Sequence, residues 1–468
     1  MTTRWAAGAE ATPQMKTDDS MHNFIPVTSD QEQAMLRTLG LSQLTDLFAN
    51  IPEAIRSRAK FQKVPPKALS EYEVLKRLQA LAVRNTSAEV MTSYLGAGIY
   101  DHFVPSAVRH LLMRSEFYTA YTPYQPEVAQ GTLQAIFEFQ SLICGITGMA
   151  LANASHYDGA SALAESALIA CAASDKPEIL ISAGVNPRHR AVVSTYLKAA
   201  GYKLSVVELG EDGRTRIPPP AMMKEAAGLI LAYPNYYGVI EDLSSFSKVK
   251  GDALLITTAN PIALALLKAP GDLGADICVG DGINLGNGVS FGGPGLGYMA
   301  VSTKLMRRIP GRIVGKTNDV DGKEAYVLTL QAREQHIRRQ RASSNICTNQ
   351  SLMALAATIY MSLLGKQGLK QVATTCYHNA HYLANQLSEK LGLTRHHTGP
   401  FFHEFSLKLS RPAAGVLTAM EGHGVLAGVD LAAESPAMGH GLLIATTEKR
   451  TREELDRYVR LLGESNAI

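Results

Sequence analysis

The chain has 468 residues, of which 46% are hydrophobic and 19% are charged, and its formal net charge is +3. This length suits two or three domains around large cores, and so small a net charge does not favour nucleic acid or a membrane surface as a partner. The five cysteines are scattered and form no C-x-x-C pair, so we expect them to be reduced. No apolar stretch reaches the ~20 residues of a membrane span, and we therefore expect a cytoplasmic protein.

The N-terminal part of the chain is expected to be helical after a disordered tail. Residues 1–22 are predicted to be disordered. Ser29, followed by Asp30 and Glu32, is typical of a helix N-cap and first turn. Helical segments that are interrupted by prolines at 52, 65 and 66 continue to residue 81. We therefore predict an N-terminal helical arm over residues 23–81.

From about residue 150, short apolar strands alternate with helices. The predicted strands cover 178–182, 204–208, 228–233, 253–257, 277–279 and 298–302, and the predicted helices cover 131–147, 161–173 and 187–200. Apolar strands that are separated by helices are typical of a mostly parallel sheet buried on both faces. We therefore predict a large α/β domain over residues 82–327.

The C-terminal part of the chain is predicted to form a smaller αβ domain over residues 328–468. It is expected to begin with a long basic and polar helix over 328–340 and to continue with an apolar helix over 352–364. A strand over 442–446 and a helix from Arg452 complete the domain. The sequence contains no internal repeat and no low-complexity tract.

A run of tyrosines lies between residues 118 and 127. Two prolines interrupt the run, so it is neither a helix nor a central strand. Rigid loops with oriented polar groups often line binding pockets, although a packed surface loop is the commoner explanation for such a run. The candidate pocket-lining residues are Tyr118, Tyr121, Tyr124, Gln125 and Glu127.

Glycine-rich stretches at 96–98, 280–282 and 292–297 lack the spacing and context of a nucleotide-binding loop. Tight turns at strand ends explain the last two. Asp158 and Ser161 open the predicted helix over 161–173, and the N-terminus of this helix could hold an anion. Simple capping of the helix by one of these two side chains is the favoured interpretation.

A second polar stretch precedes the helix over 352–364. It follows the basic run 331–341, and its hydroxyl and amide side chains are Ser343, Ser344, Asn345, Thr348, Asn349 and Gln350. Three histidines, His396, His397 and His403, lack the spacing of a zinc site and are expected in a loop. We therefore expect no metal site.

Six stretches of the chain resemble the glycine cleavage system P-protein family, and specifically its α-subunit type, which corresponds to the N-terminal half of single-chain versions. The resemblance runs from about residue 30 to the C-terminus. The stretches are EFYTAYTPYQPE (116–127), YDGA (157–160), ANPIAL (259–264), FGGP (291–294), PGRIVG (310–315) and QAREQHIR (331–338).

This resemblance implies a fold-type I architecture like that of pyridoxal-phosphate-dependent transferases, with a large domain and a smaller C-terminal αβ domain. Such an enzyme needs a lysine amine for its cofactor. Residues 280–286 stand where that lysine is expected, yet the chain has no lysine between Lys268 and Lys304. The strand that ends at Asn260 also lacks the aspartate that pairs with the pyridine nitrogen. We therefore expect no catalytic residue in this chain alone.

The resemblance also implies partners. It implies that a β subunit of similar fold carries the pyridoxal phosphate in an α2β2 complex. It also implies that glycine loses its carboxylate as CO2 and that the aminomethyl group passes to the lipoyl arm of the H-protein. Sites in this fold are built at subunit interfaces, so the tyrosine loop is expected to line the partner's active site. By the same analogy, Ser343 and Asn345 are expected at the partner's cofactor phosphate; the family more often has threonine at 343, and serine keeps the hydroxyl.

Two alternatives remain open from the sequence. The chain could be a stand-alone fold-type I enzyme that uses Lys304, although this lysine follows the last strand of the large domain. It could also be a scaffold that stabilises a pyridoxal-phosphate enzyme without contributing to turnover. Spectra of the isolated chain separate the first alternative from the subunit hypothesis, and turnover of loop variants separates the second.

Overall fold

The computed structural model describes residues 27–58, 69–347 and 349–465. It divides into two compact units, Met1–Thr86 and Ser87–Ile468, which are described separately below. The predicted disordered tail, residues 1–22, lies outside the described residues. The predicted finer division at residues 81 and 327 stays a prediction.

The first unit contains short helices with well-formed N-terminal caps. They are α1 (Ser29–Thr38), α2 (Glu53–Arg56) and α3 (Glu71–Ala82), with a 3₁₀ turn over Leu44–Phe48. The cap of α1 is Thr28 rather than the predicted Ser29, because the Thr28 hydroxyl accepts from the backbone N–H of Gln31 and the Gln31 side chain accepts from the Thr28 N–H. Ser70 and Glu73 form the same reciprocal arrangement at α3.

The second unit contains the remaining helices and all fifteen strands of the described chain. Its helices are α4 (Ser106–Leu112), α5 (Ser115–Tyr118), α6 (Gln130–Thr147), α7 (Gly159–Ser174), α8 (Pro187–Ala199), α9 (Pro220–Glu225), α10 (Leu243–Val249), α11 (Gln335–Arg338), α12 (Ser351–Leu391), α13 (Ala413–Gly422) and α14 (Arg452–Glu464). Its strands are β1 (Thr92–Ser93), β2 (Leu151–Ala152), β3 (Glu178–Ser182), β4 (Lys203–Val207), β5 (Ala226–Tyr233), β6 (Leu254–Ala259), β7 (Ile277–Asp281), β8 (Gly297–Val301), β9 (Ile313–Asn318), β10 (Glu324–Thr329), β11 (Thr394–Arg395), β12 (Glu404–Lys408), β13 (Val425–Leu426), β14 (Val429–Asp430) and β15 (Gly441–Ala445).

Seven of these strands form the main sheet, in the order β2-β8-β7-β6-β5-β3-β4. The pairs among β3 to β7 are parallel, and β8 runs antiparallel to both β7 and β2. Side chains alternate between two cores: Leu229 and Leu255 pack with α6 and α12, whereas Ile230 and Ile256 pack with α7 and α8. This is the predicted parallel sheet buried on both faces.

A second sheet, in the order β11-β12-β15-β14, is antiparallel. Helix α12 connects the two sheets, because Ala357 and Tyr360 lie in the core of the main sheet and Leu383 and Leu387 lie in the core of the small sheet. Its backbone is kinked at Gly365, where φ is 58°. Among the described helices, α12 alone has the length and composition of a membrane span, which is weak evidence in a helix that contributes to two cores.

One prediction for the C-terminal half is wrong. The region 328–340 is not one long helix, because β9 and β10 form an antiparallel hairpin that is followed by short helical turns. The Gln130 side chain fixes this hairpin by bonding both the N–H and the carbonyl of Tyr326, at 2.8 and 2.9 Å. The helix predicted over 352–364 matches the first segment of α12, because the backbone leaves helical geometry at Gly365 before a second helical segment continues to Leu391.

A close approach at Gly238 presses the small sheet against the main one. Gly238 has φ of 86°, and a Cβ added there would overlap the carbonyl oxygen of Glu404 at the start of β12. Gly251 has φ of 56° with no neighbouring atom within 4 Å of an added Cβ. The two glycines therefore separate the effect of crowding from the effect of backbone conformation.

We expect Gly238→Ala to lower the free energy of unfolding by about 3 kcal/mol or more, since a strained backbone and overpacking each cost about 1–3 kcal/mol. Gly251→Ala carries only the conformational cost of about 1–2 kcal/mol. Urea unfolding of both variants measures the difference. Equal losses in the two variants would show that the packing of β12 against Gly238 is not tight.

Candidate functional site

The carboxyl ends of β5, β6 and β7 open onto a cavity, which is where parallel α/β sheets bind ligands. The cavity has a volume of about 90 Å³, against about 300–1,000 Å³ for typical small-molecule sites. Most of the residues that line it carry polar side chains. They include Asn186, His189, Asn235, Tyr236, Asn260, Asp281, Asn284 and Glu404.

The N-terminus of α7 is the position where the sequence suggested that an anion could bind. Its backbone amides are occupied by carboxyl groups of the same chain. Asp158 caps the helix by accepting from the Ser161 N–H at 2.7 Å, as the favoured interpretation predicted. Asp281, at the end of β7, accepts from the Gly159 N–H at 3.2 Å and from the Ile283 N–H at 2.9 Å. Burial raises the pKa of Asp281 to about 6, against these hydrogen bonds. The amides that would hold a phosphate therefore already bind a carboxyl group.

Lys304 lies at the wrong edge of the main sheet to serve this cavity. Its ammonium group contacts the Asp276 carboxylate at 2.6 Å, and Asp276 immediately precedes β7 at the amino end of the strand. At the carboxyl edge, the Asn260 amide contacts His403 Nε2 at 3.1 Å and accepts from the Ile262 N–H. The residues at this edge therefore do not fit pyridoxal phosphate, since a lysine, a pyridine-binding acid and a free anion cradle are all missing from them.

The tyrosine loop presents its phenols outward. Tyr118 ends the short helix α5, which differs from the predicted loop, whereas Tyr121 and Tyr124 lie in irregular chain. The exposed fractions of Tyr118, Tyr121 and Tyr124 are 51%, 75% and 53%. Gln125 and Glu127 are also exposed. All five predicted pocket-lining side chains therefore face the surface of the unit.

The polar stretch after residue 342 is fixed by its inward-facing members. The Ser344 hydroxyl donates to Glu165 at 2.8 Å, and Ile346 is buried. The Asn349 amide donates to the Ser155 hydroxyl at 2.9 Å. Ser343 and Asn345 alternate with the inward residues and are exposed. The two predicted phosphate-contacting side chains thus stand on a supported turn and point away from the core.

Arg312 joins the tyrosine loop to the polar turn. Its guanidinium donates to the Cys347 carbonyl at 2.6 Å and lies 5.3 Å from the centre of the Tyr124 ring. Tyr124 Oη also lies 3.9 Å from Cys347 Sγ. Arg312 is buried, with 4% of its surface exposed, and it pairs with no carboxylate among the described residues. The two segments therefore form one surface, which we call the tyrosine–serine face.

Sequence reasoning missed the residues that hold this face together. Arg312 lies in a stretch that carries the family resemblance, and no spacing rule singles it out. Tyr157 also supports the face, since its hydroxyl accepts from the Cys347 N–H at 3.4 Å. Both contacts connect residues that are far apart in the chain, so a local pattern could not have revealed them.

One buried cluster has the composition of a metal site. Suitable atoms of His102, Cys376 and Glu448 lie within 4.8 Å of one another. Hydrogen bonds account for this cluster, because Glu448 accepts from the Phe103 N–H at 2.7 Å and contacts His102 Nδ1 at 2.7 Å. Burial would raise the pKa of Glu448, but its contacts with His102 lower that pKa to about 2.

Comparison with known proteins agrees with this architecture. The model of the glycine cleavage system P-protein family matches residues 22–462. The chain belongs to this family. It is 50% identical over 440 residues to the probable glycine dehydrogenase (decarboxylating) subunit 1 of Moorella thermoacetica, covering 93% of this chain and 98% of that one. The protein of the same description from Geobacillus kaustophilus is 48% identical, covering 96% and 100%.

Solved structures agree with the family and the fold. A crystal structure of glycine decarboxylase (P-protein) of the glycine cleavage system, in inhibitor-bound form, matches with a TM-score of 0.84 and 40% identity, covering 95% of this chain and 100% of that one. A glutamate decarboxylase of Lactobacillus brevis matches at 13% identity with a TM-score of 0.63, covering 85% and 92%, and shows the fold alone. The predicted fold-type I architecture is therefore confirmed.

We expect the isolated chain, incubated with pyridoxal phosphate, to form no borohydride-reducible adduct at a lysine near the cavity. The reason is geometric, since the carboxyl edge of β6 and β7 carries no amine and its anion cradle is closed. Peptide mapping after reduction locates any adduct. Stoichiometric labelling of one lysine, together with a visible absorbance band, would contradict the prediction. Scattered partial labelling of surface lysines is the expected background.

Proposed function

We propose that this chain is subunit 1 of a two-subunit glycine decarboxylase, active only with a second subunit that binds pyridoxal phosphate. The observation that carries the proposal is the near-full-length agreement with subunit 1 proteins. In the proposed complex, glycine loses CO2 and its aminomethyl group passes to the lipoyl arm of the H-protein. The absence of a fitting lysine at the carboxyl edge of the main sheet supports placing the cofactor in the partner.

The tyrosine–serine face is the proposed contribution of this chain to the partner's site. Four observations support it: the phenols are exposed, Pro123 beside them is buried, the polar turn is supported from below, and Arg312 ties the segments together. A surface whose polar side chains are exposed, and whose backbone is held by buried contacts, can orient groups that a partner brings to it. We assign Tyr118, Tyr121, Tyr124, Gln125 and Glu127 to the lining of that site.

Ser343 and Asn345 are proposed to contact the phosphate of the partner's cofactor. Their neighbours Ser344 and Ile346 point inward, so these two side chains are free to reach across an interface. The buried Arg312 charge nearby favours an anion at this face, since no described carboxylate neutralises it.

The α2β2 stoichiometry and the contact with the H-protein belong to the same proposal. The cytoplasmic location also belongs to it, and the five free cysteines support that location.

A scaffold without any part in turnover is the competing function. It predicts that changes on the tyrosine–serine face alter assembly but leave the rate of the assembled complex unchanged. The arrangement of Tyr124, Arg312 and Cys347 favours a direct role, because a purely cohesive interface has no need for a buried unpaired charge. Kinetics on assembled complex distinguish the two functions.

We expect the chain to restore glycine decarboxylation when it is mixed with its partner, and Tyr121→Phe or Tyr124→Phe to lower turnover by up to about 10²-fold, because misplacement of a reacting group by an ångström costs that much. The measurement is release of CO2 from carboxyl-labelled glycine, with assembly checked by gel filtration. Tyr72→Phe is the matched control, since Tyr72 is 73% exposed and lies in α3. Full activity in both loop variants would show that the loop contributes only to packing and not to turnover.

We expect Ser343→Ala to weaken retention of pyridoxal phosphate by the complex about 10–100-fold, because loss of a charge-assisted hydrogen bond costs about 1.5–3 kcal/mol. Ser343→Thr keeps the hydroxyl and should be nearly silent. Cofactor affinity is measured on reconstituted complex with the change in this chain only. If the alanine and threonine variants retain the cofactor equally, Ser343 lies outside the phosphate site.

A further inference from the structure

We propose that the cavity at the carboxyl edge of the main sheet is a binding site for a small primary ammonium ligand, held between the main sheet and the small sheet. Its chemistry differs from that of the tyrosine–serine face, and it does not depend on the function proposed above. The inference rests on the shape of the cavity, on the charges in its wall and on one hydroxyl group in that wall without a partner.

The wall of the cavity contains two buried carboxyl groups from different sheets. Asp281 ends β7 of the main sheet, and Glu404 begins β12 of the small sheet. Glu404 accepts from the Ala97 N–H at 2.7 Å and from the Tyr100 hydroxyl at 2.8 Å. A carboxylate has about four acceptor positions. Each of these two groups therefore keeps acceptor capacity after its two protein hydrogen bonds.

No lysine or arginine lines the cavity among the described residues. Burial raises the pKa of Glu404 to about 7 and that of Asp281 to about 6. Among the described residues that line the cavity, His189 is the single basic side chain, and burial lowers its pKa, which favours the neutral imidazole. The wall thus offers hydrogen-bond acceptors without a cation of its own, and a cationic guest would stabilise the charged forms of the two carboxyl groups that burial disfavours.

Tyr236 is the observation that points to a ligand. The residue is only 7% exposed and lines the cavity, and no hydrogen bond joins its hydroxyl to the described residues. Its neighbour Tyr237 is equally buried and donates or accepts at 2.8 Å with Ser435, away from the cavity wall. The Tyr236 oxygen is not one of the fully buried polar atoms that lack a partner among the described residues, so it keeps accessible surface. A phenol on a mostly buried side chain normally finds a hydrogen-bond partner, and a guest in the cavity that Tyr236 lines would supply one.

The size and polarity of the cavity select the guest. A volume of about 90 Å³ excludes nucleotides and large cofactors. An ammonium group has three N–H donors, which suit the spare acceptors of Asp281, Glu404 and Tyr236. A free carboxylate on the guest would meet two acids, so a simple amine should bind more tightly than a zwitterionic amino acid. Because Asp281 and Glu404 belong to different sheets, the guest would also hold those sheets together.

The test uses the purified full chain and methylammonium chloride as the probe, with binding followed by calorimetry and by the melting temperature. Potassium chloride at equal ionic strength and sodium acetate are the comparison salts. We expect saturable binding and a raised melting temperature with methylammonium only, and weaker binding of glycine. No saturable binding, or an equal response to potassium or acetate, would overturn the proposal.

Three variants locate the site. Glu404→Gln should weaken methylammonium binding about 10–100-fold through loss of a charge-assisted hydrogen bond, and Tyr236→Phe about 3–10-fold through loss of a neutral one. Tyr237→Phe is the matched control and should bind like the unmodified chain. If Glu404→Gln does not fold, Tyr236→Phe against Tyr237→Phe decides alone. Equal binding by these two phenylalanine variants would place the ammonium elsewhere and refute the site.

Discussion

The contact between the N-terminus of α7 and the end of β7 is the constraint on which the rest of the second unit depends. The Gly159 N–H donates to Asp281, and an added Cβ at Gly159 would lie 2.9 Å from the Asp281 nitrogen. Only a glycine allows the helix to approach the strand so closely. The helix amides, which in this fold would face an anion, are satisfied by a side chain of the same chain.

The segment that leads into α7 connects this inner contact with the outer surface. Ser155 accepts from the Asn349 amide and from the Gln350 N–H, and the Tyr157 hydroxyl accepts from the Cys347 N–H. The polar turn is therefore positioned by residues that lie two to four positions before Gly159. One short stretch, residues 155–159, therefore both contacts Asp281 in the cavity wall and supports the tyrosine–serine face.

The regular part of this fold could be predicted from the sequence because its signals are local. The strand Glu178–Ser182 was predicted without error, and α6 and α8 within one residue at an end, since apolar periodicity and flanking glycine or proline define such elements. The hairpin of β9 and β10 was missed although its turn is local, since the Asp319 N–H donates to the Lys323 carbonyl. The contact of Tyr326 with Gln130, by contrast, spans nearly two hundred residues. A basic run with helical spacing was taken for a helix, although the backbone at Leu330 and Arg339 has positive φ.

The candidate site divides along the same line. The tyrosine loop and the polar turn could be found from composition, because hydroxyls, amides and prolines concentrate there. The contact that Arg312 makes between these two segments could not be found from composition. Arg312 immediately precedes β9, and its side chain reaches the carbonyl of Cys347, 35 residues further along the chain. The pairing of Asp281 with Gly159 spans 122 residues and is equally invisible to a local pattern. The type of each chemical group is encoded locally, whereas its partner is decided by topology.

The polar groups of the inner cavity do not all have the same explanation. Asp281 is accounted for as a second cap on α7, and Glu404 as the acceptor that holds the Ala97 N–H and the Tyr100 hydroxyl. Both roles are structural and need no ligand. The Tyr236 hydroxyl has no such role, because it lines the cavity and no hydrogen bond joins it to the described residues. The case for a ligand in the cavity therefore depends on the Tyr236 hydroxyl.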